Sequence, residues 1–287
     1  MIIAPHAGYA YSGAAAAWAY ATLDISPQKT KRIFLLGPSH HLHLSSSVLS
    51  QCSSYATPLG SLPLDTKLIA HLRKEHKFQS MSMDADEDEH SLEMHLPYIC
   101  HLIIKSFGSL TAPNVPLLVP LMVGSTSPQT EREQGRYLAP YLSDEANLFI
   151  ISSDFCHWGQ RFGYTQYFPK LSPESKDKHH WGIALHRKDG TPSDPAIHES
   201  IEWVDRVCMD AIETGSHDEW CRILARTRNT VCGRHPIGVI LAAMEEWTGQ
   251  GGGEGRGYFR FVRYERSSLA DNMSDSSVSY ASAYAVM

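Results

Sequence analysis

The sequence predicts an α/β fold, a single domain with a central mixed sheet flanked by helices. Short apolar runs of strand length alternate with longer segments of helical periodicity, an order typical of a sheet covered by helices. A length of 287 residues with 43% hydrophobic composition is enough to bury one large core. We therefore expect residues 1–287 to form one domain.

The predicted strands are short and apolar. The first begins almost at residue 1, and the second is closed by the pair Gly37-Pro38, where a turn is expected. Pro116 and Pro120 weaken the case for the fourth strand, because proline cannot donate to a ladder. In chain order, the predicted strands cover residues 2–4, 33–36, 45–50, 115–123, 148–152, 258–264 and 278–285.

The predicted helices are longer and show alanine-rich or helically spaced apolar residues. In the third of them, Leu92, Leu96 and Ile99 recur at helical spacing. Pro236 stands at the start of the last helix, where the first turn tolerates proline. In chain order, the predicted helices cover residues 12–23, 64–76, 90–106, 199–215, 218–227 and 237–247.

Three polar or glycine-rich stretches interrupt this order. Residues 170–200 are predicted to form a surface excursion, in which the tract 176–180 is a solvated loop more often than a weak metal site. Residues 267–277 connect the last two strands. Residues 251–257 follow a helix and precede a strand, which is the wrong order for a phosphate or dinucleotide loop.

Composition excludes several classes of protein. A formal net charge of −6 argues against a nucleic-acid binder, whose footprint is basic. No apolar run approaches the roughly 20 residues of a membrane helix, and the N-terminus does not read as a signal peptide. The six cysteines form no CxxC pair, which suits free thiols in a reducing compartment. We expect a cytoplasmic protein, with the nucleus also compatible.

Ligand-capable residues come directly after three predicted strands. His6 follows the first strand, His40 and His41 the second, and Asp154 and His157 the strand at 148–152. Sites in open α/β sheets form outside the carboxyl ends of the strands, so these residues are expected to converge. A lone histidine is more often structural, but three such positions favour function. Of the adjacent pair, His40 is expected to point inward, because successive side chains alternate.

Cys232 and His235 precede the last predicted helix. A thiol at a helix N-terminus lies at the positive end of the helix dipole, which is expected to lower its pKa and favour the metal-binding thiolate. A buried, inert cysteine is an equally weighted interpretation of this motif alone. Cys156 is the rival thiol, and we expect it to serve packing.

Two imidazoles and a thiolate suit iron, copper or zinc. Asp154 could instead complete a set of two histidines and one carboxylate, which is typical of non-haem iron, or could orient a ligand. His90 and His95 are five residues apart and therefore diverge on a helix, which excludes a zinc-peptidase motif. His90 and Glu93 share a face that could point to the pocket. The acidic run 84–89 is expected to cap the helix and face solvent.

Longer motifs give a family resemblance. They lie at residues 4–9, 36–41, 86–98, 152–162, 232–238 and 275–281. Together they resemble the Memo family (mediator of receptor-driven cell motility) over nearly the whole chain, in a form expected of a fungal or other eukaryotic member. Family members normally carry a short segment with a helix before the first strand, and a shortened form is expected to expose part of the sheet or lose a pocket wall.

The resemblance implies a fold shared with class III extradiol dioxygenases, which are non-haem iron enzymes. It implies a pocket in which His6, His40 and Cys232 bind iron or copper while Asp154 and His157 occupy catalytic positions. It also links the chain to cellular redox, iron handling and cell migration, and animal members to phosphotyrosine peptides. Because Cys232 stands where ring-cleaving enzymes use a carboxylate, the set argues against ring cleavage.

Three functions follow as hypotheses. The first is a redox-active metalloprotein, a metal-dependent oxidoreductase if it turns over. The second is a non-catalytic module that binds a phosphotyrosine or other anionic peptide, with Arg161, Arg234 and the histidines as donors. The third is a protein that sequesters copper with the same ligands and suppresses its redox cycling.

Overall fold

Short apolar strands form a mixed sheet at the centre of the protein, in a computed structural model that describes residues 1–76, 78–169, 181–249 and 257–287. The tract 176–180 and all but the last residue of 251–257 lie outside the described residues. The strands are β1 Ile2–Ala4, β2 Arg32–Pro38, β3 Ser47–Leu49, β4 Ser54–Thr57, β5 Gly60–Pro63, β6 Gln79–Ser80, β7 Leu117–Val123, β8 Asn147–Ser152, β9 His157–Trp158, β10 Gln166–Tyr167, β11 Ile183–Ala184, β12 Arg260–Arg266 and β13 Ser277–Tyr284.

The main sheet has a parallel centre with antiparallel flanks. Its strand order is β12-β13-β1-β8-β2-β7-β3-β6, and β9 pairs with β13. The four central strands, β1, β8, β2 and β7, are parallel neighbours. Antiparallel pairing adds β13 beside β1 and β3 beside β7. The central strands are nearly continuous apolar runs, as expected of strands covered on both faces. The predicted mixed α/β fold is therefore confirmed.

Helices pack against this sheet. One helix, α1, contacts β1, β12 and β13, whereas α9 lies on β2 and β8 and is itself covered by α6. Short 3-10 turns occur at Gln160–Phe162 and Arg187–Asp189. The helices are α1 Tyr9–Tyr20, α2 Thr66–His76, α3 Met83–Asp88, α4 His90–Glu93, α5 Leu96–Phe107, α6 Pro128–Leu142, α7 Ile197–Glu213, α8 His217–Thr227 and α9 Arg234–Gly249.

Apart from the helix at 90–106, the predicted strands and helices are present, and their bounds differ by a few residues. The largest shift is in α1, which begins three residues before the predicted start because the exposed Tyr9 and Tyr11 interrupt the apolar periodicity. Strand β7 includes Pro120 opposite Leu35 of β2, and its pairing with β3 ends one residue away, at Leu121. The described part of the predicted excursion, residues 181–200, carries β11, a 3-10 turn and the start of α7.

The predicted helix at 90–106 is wrong in its continuity. It is two helices, α4 and α5, separated at Met94 and His95. Pro97 lies in the first turn of α5, where it lacks the N–H that a continuous helix would need and its ring would meet the carbonyl four residues earlier. The break turns the buried His95 imidazole toward Tyr20, with 2.7 Å between Nδ1 and the hydroxyl.

Helix α6 and the β4–β5 hairpin, as well as α3 and several two-residue strands, were not predicted from the sequence. Helix α6 starts with Ser127, whose hydroxyl accepts a hydrogen bond from the Thr130 N–H, followed by Pro128 in the first turn. These are ordinary start signals, but Pro140 inside the helix obscured its periodicity. The β4–β5 hairpin turns at Gly60, whose φ of +130° favours glycine.

A single large cluster of buried apolar side chains extends from β1 to β13 across the central strands. A second cluster contains Cys156 and Trp158 and packs under α7. The packing role predicted for Cys156 agrees with its complete burial. In the part of the chain that the structure describes, the helices are too short or too polar to cross a membrane.

Candidate metal centre

Three neighbouring parallel strands deliver the predicted histidines and aspartate to one edge of the sheet. Strand β8 lies between β1 and β2, so the segments that carry His6, Asp154 and His40 leave the sheet side by side. The Ser153 N–H donates to the carbonyl of Ala4 and continues the ladder past the end of β8. The convergence expected at the carboxyl ends of the strands is present.

The loop before α9 brings Cys232 to the same edge. The Cys232 N–H donates to the Asp154 carbonyl at 3.2 Å, and the Asp154 N–H donates to Cys232 Sγ at 3.1 Å. Gly233 makes this approach possible, because a Cβ at that position would lie 2.4 Å from the Ser152 carbonyl oxygen. Any larger residue would push Cys232 away from the end of β8.

The side chains of His6, His40 and Cys232 point at a common volume. His6 Nε2 lies 3.2 Å from Cys232 Sγ, and one ligand atom from each of the three residues lies within 4.8 Å of the others. Nitrogen and sulfur ligands on one tetrahedral ion are roughly 3.5 Å apart, given metal–ligand bonds of 2.0–2.3 Å. The spacing therefore fits a single transition-metal ion, and a position remains for a further ligand.

A hydrogen-bonded serine fixes the tautomer of His6. The Ser152 hydroxyl donates to the Ser91 carbonyl at 2.7 Å, so its oxygen is left to accept from His6 Nδ1 at 2.6 Å. The proton of the neutral His6 ring is thus on Nδ1, and the lone pair on Nε2 faces Cys232 and His40. Metal-binding histidines are commonly held in this way through the other ring nitrogen.

Glu89 holds His40 in the same tautomer. His40 donates from Nδ1 to Oε1 at 2.8 Å and from its backbone N–H to Oε2 at 2.7 Å, and the Ser91 N–H also donates to Oε1. Burial opposes ionisation of this carboxyl group, but the hydrogen bonds from His40 and Ser91 outweigh it and lower the pKa of Glu89 to about 2. Glu89 is therefore a carboxylate that orients His40.

His157 and Asp154 lie beside this cluster. His157 Nδ1 lies 2.9 Å from the Phe155 carbonyl, to which it donates, so Nε2 is again the free nitrogen. The buried Asp154 carboxylate accepts from the backbone N–H groups of His6 and Ala7 at 2.8 and 3.3 Å. Burial raises the pKa of Asp154, although these hydrogen bonds act to lower it. Since one carboxylate oxygen holds the loop after β1, the geometry favours Asp154 as the residue that positions His6.

The electrostatics keep His6 neutral. Burial, followed by the nearby His40 and His90, lowers the pKa of His6 well below its ordinary value. A neutral imidazole is the form that binds a metal. The edge-to-face contact with His40, at 5.2 Å between ring centroids, places the two rings at 72°.

The prediction that the pKa of Cys232 is lowered, so that it is a thiolate, is wrong for the protein without a bound cation. Burial, followed by the Asp154 carboxylate, raises the pKa of the Cys232 thiol well above its ordinary value. The helix dipole does not compensate, because α9 begins only at Arg234, two residues later. A bound cation would act in the opposite direction, since a coordinating thiol loses its proton.

Sequence reasoning missed the roles of Glu89 and Ser152 and misplaced Glu93, whereas His90 lies at the pocket as expected. Glu89 closes the acidic run that was expected to face solvent, yet only 1% of its side chain is exposed. His90, which was expected to point toward the pocket, stacks on His40 with 4.5 Å between ring centroids. The role of Ser152 had no local signal. Glu93, the other residue of that face, lines a different cavity with Tyr55.

The two arginines proposed for anion binding lie in different surroundings, Arg161 beside Phe162 and Arg234 at the start of α9. The Arg161 guanidinium lies 4.4 Å from the centre of the Phe162 ring, and Phe162 contacts the edge of His157. Arg234 is the first residue of α9 and lines a cavity of about 420 Å³ with Arg228 and His235. Peptide binding through Arg161 and Arg234 stays a prediction.

The fold and this cluster define an α/β protein with a candidate histidine–cysteine metal centre at the carboxyl edge of its sheet. A family model described as "Memo-like protein" matches residues 1–284. The chain belongs to the Memo family, which confirms the resemblance read from its motifs.

Relatives from animals and fungi match almost the entire sequence. "Protein MEMO1" of Danio rerio is 44% identical over 280 residues, with 98% of this chain and 83% of the relative covered. "Protein MEMO1" of Homo sapiens is 42% identical over the same share of both chains. A MEMO1 family protein of Schizosaccharomyces pombe is 40% identical over 287 residues, which cover 99% of this chain and 87% of the relative.

A solved structure of an uncharacterized protein from Escherichia coli K12 aligns with 98% of both chains. Its TM-score is 0.41 and its sequence identity 12%. The relation to class III extradiol dioxygenases stays a prediction.

Proposed function

We propose that this Memo-family protein binds iron or copper through His6, His40 and Cys232 and acts in cellular redox chemistry or metal homeostasis. The main support for this proposal is that His6 and His40 are held in the same tautomer. His6 and His40 each donate from Nδ1 to a buried acceptor, which leaves Nε2 of each ring free, and Nε2 of His6 lies 3.2 Å from the sulfur of Cys232. Such second partners are the usual support of metal-binding imidazoles.

The donor set favours particular metals. Two imidazoles and one thiolate suit iron, copper or zinc, whereas magnesium and calcium prefer oxygen ligands. Bound iron or copper would supply one-electron redox chemistry, which zinc does not. Cys232 and the Glu89 carboxylate offset the positive charge of the ion, and burial of His6 shields the centre from water on one side.

Asp154 and His157 have separate proposed roles. Asp154 holds the backbone of His6 and Ala7 and so keeps the first ligand in place. His157 has a free Nε2 and is near enough to His6 to disfavour protonation of that ring. It can accept a proton from a water molecule or a substrate that occupies the open position.

Metal analysis of protein purified without chelator tests the proposal. We expect close to one equivalent of iron or copper per chain, and a large loss in the Cys232→Ser variant. Cys52→Ser is the matched control, because Cys52 is another half-buried free thiol that lies far from β1 in the sequence and contacts Asp86. Less than about a tenth of an equivalent in the wild type, with no change in Cys232→Ser, would refute the proposal.

Copper sequestration is the second candidate, since the completely buried ring of His6 and the adjacent thiol would shield copper(I) from oxidants. Oxygen consumption with ascorbate distinguishes the two roles. A redox-active centre accelerates oxygen uptake relative to the same amount of free metal, and a sequestering centre suppresses it.

A further inference from the structure

A second cluster of ligand-type side chains lies where helices α6, α8 and α9 meet. Glu131 of α6 accepts from His217 Nε2 of α8 at 2.7 Å and from His235 Nδ1 of α9 at 2.6 Å. Cys221 stands one helical turn after His217, with its Sγ 3.7 Å from His217 Nε2. One ligand atom from each of Glu131, His217 and Cys221 lies within 4.8 Å of the others.

From this geometry we propose that Glu131, His217 and Cys221 form a second metal site, selective for zinc or a similar borderline divalent ion and separate from the centre at His6, His40 and Cys232.

The burial of its side chains supports a metal site at this cluster. The His217 side chain is fully buried, and Glu131 is nearly so. Gly238 of α9 makes room for the carboxylate, since a Cβ there would lie 2.3 Å from Glu131 Oε2. His235 holds the other carboxylate oxygen, as an orienting partner of a metal ligand does.

The cluster also has an opening. Glu131, Cys221 and His235 line the cavity of about 420 Å³ described above, which gives an ion a path and leaves room for a water ligand. Imidazole, carboxylate and thiolate are all zinc ligands, and catalytic zinc sites have three protein ligands and one open position. Ligands on tetrahedral zinc lie roughly 3.3 Å apart, so His217 and Glu131 must separate by about half an ångström from their hydrogen bond.

The charges of the cluster suit a cation. Glu131 accepts hydrogen bonds from two imidazoles and so supplies one negative charge, and a Cys221 thiolate would supply a second. Zinc would bind His217 as a neutral imidazole and Cys221 as a thiolate. The two negative charges of the thiolate and the carboxylate then cancel the double positive charge of the ion. The occupied site therefore has no net positive charge for Arg228 and Arg234, which line the same cavity, to repel.

Zinc stoichiometry tests the second site. Metal-free full-length protein is dialysed against zinc sulfate and analysed for bound zinc. We expect about two equivalents in the wild type and about one in the His40→Ala/Cys232→Ser variant, which loses the first centre. Adding Cys221→Ser should remove the remaining zinc, whereas adding Cys52→Ser, at a thiol of similar exposure, should not.

A second, spectroscopic experiment tests whether Cys221 is a ligand. It does not require the His40→Ala/Cys232→Ser variant to fold. Cobalt(II) bound to a thiolate gives a sulfur charge-transfer band, and Cys221→Ser in the wild-type background should lose part of that band and one of two equivalents. Thermal unfolding of each metal-free variant checks that it is folded. A folded His40→Ala/Cys232→Ser protein with less than about a tenth of an equivalent of zinc would overturn the inference. So would an unchanged cobalt band and stoichiometry in Cys221→Ser.

Discussion

Removing the Ser152 hydroxyl tests the tautomer argument at the centre directly. In the Ser152→Ala variant, His6 Nδ1 loses the acceptor that lies 2.6 Å away, and the Ser91 carbonyl loses its donor. His6 is buried, so the orphaned N–H is expected to lower the free energy of unfolding by about 1–3 kcal/mol. The ring is also freed to rotate or change tautomer, which withdraws Nε2 from the metal.

The expected loss of metal affinity follows from the same contact. Loss of a hydrogen-bond partner behind a metal-binding histidine typically costs about 10–100-fold in affinity, which is about 1.4–2.8 kcal/mol at 1.4 kcal/mol per factor of ten. Competition of the metal-free protein with a chromophoric copper(I) chelator measures this affinity, and chemical denaturation measures the stability separately.

Ser282→Ala is the matched control. Ser282 is a fully buried serine of β13 whose hydroxyl donates to the Ala15 carbonyl at 2.6 Å, without contact to a histidine. We expect it to lower the stability by a similar amount and to leave copper affinity within about twofold of the wild type. Copper binding by Ser152→Ala within twofold of the wild type, or an equal loss of affinity in Ser282→Ala, would show that the Ser152 hydroxyl does not orient His6 for the metal.

Three further outcomes are expected. Glu89→Gln should reduce metal affinity by about 10–100-fold, because an amide has one acceptor oxygen where three donors converge. The control Glu93→Gln, at an exposed residue, should leave the affinity unchanged. Equal effects of the two variants in the same titration would argue against the orientation of His40 by Glu89. Gly233→Ala should lower the unfolding free energy by about 1–3 kcal/mol and weaken metal binding, since its Cβ would collide with the end of β8; wild-type stability by denaturant titration would contradict that packing. Copper(I) at 100 times its Kd should raise the free energy of unfolding by about 2.7 kcal/mol, and Cys232→Ser should abolish most of this gain.

Local patterns were sufficient to place two of the three proposed ligands. His6 and His40 each follow an apolar run that could be read as a strand, and the carboxyl ends of parallel strands meet at one edge whatever the rest of the chain does. Alternation along the extended chain also selected His40 over His41, and His40 is the one that lies with His6 and Cys232. These inferences needed only residues within a few positions of each ligand.

The partners that orient the ligands could not be read in this way. Ser152 lies 146 residues from His6, and Glu89 lies 49 residues from His40. Glu89 also looked like part of a solvated acidic run, but it is the extended residue between α3 and α4, and its carboxylate caps α4 by accepting from the Ser91 N–H. The pKa of Cys232 was misjudged for a related reason, because the dipole of a nearby helix is visible in sequence and burial beside Asp154 is not.

The sequence by itself determined the α/β alternation, the strand ends that carry His6, His40 and Asp154, and the family. The family resemblance added Cys232 to this group. Only the tertiary structure decided that Ser152 and Glu89 set the tautomers of His6 and His40, and that α6, α8 and α9 gather a second cluster around Glu131. The physical reason is that hydrophobic periodicity reports which face of a segment is buried. Which buried polar groups meet is fixed instead by packing between distant segments, where each must find a partner.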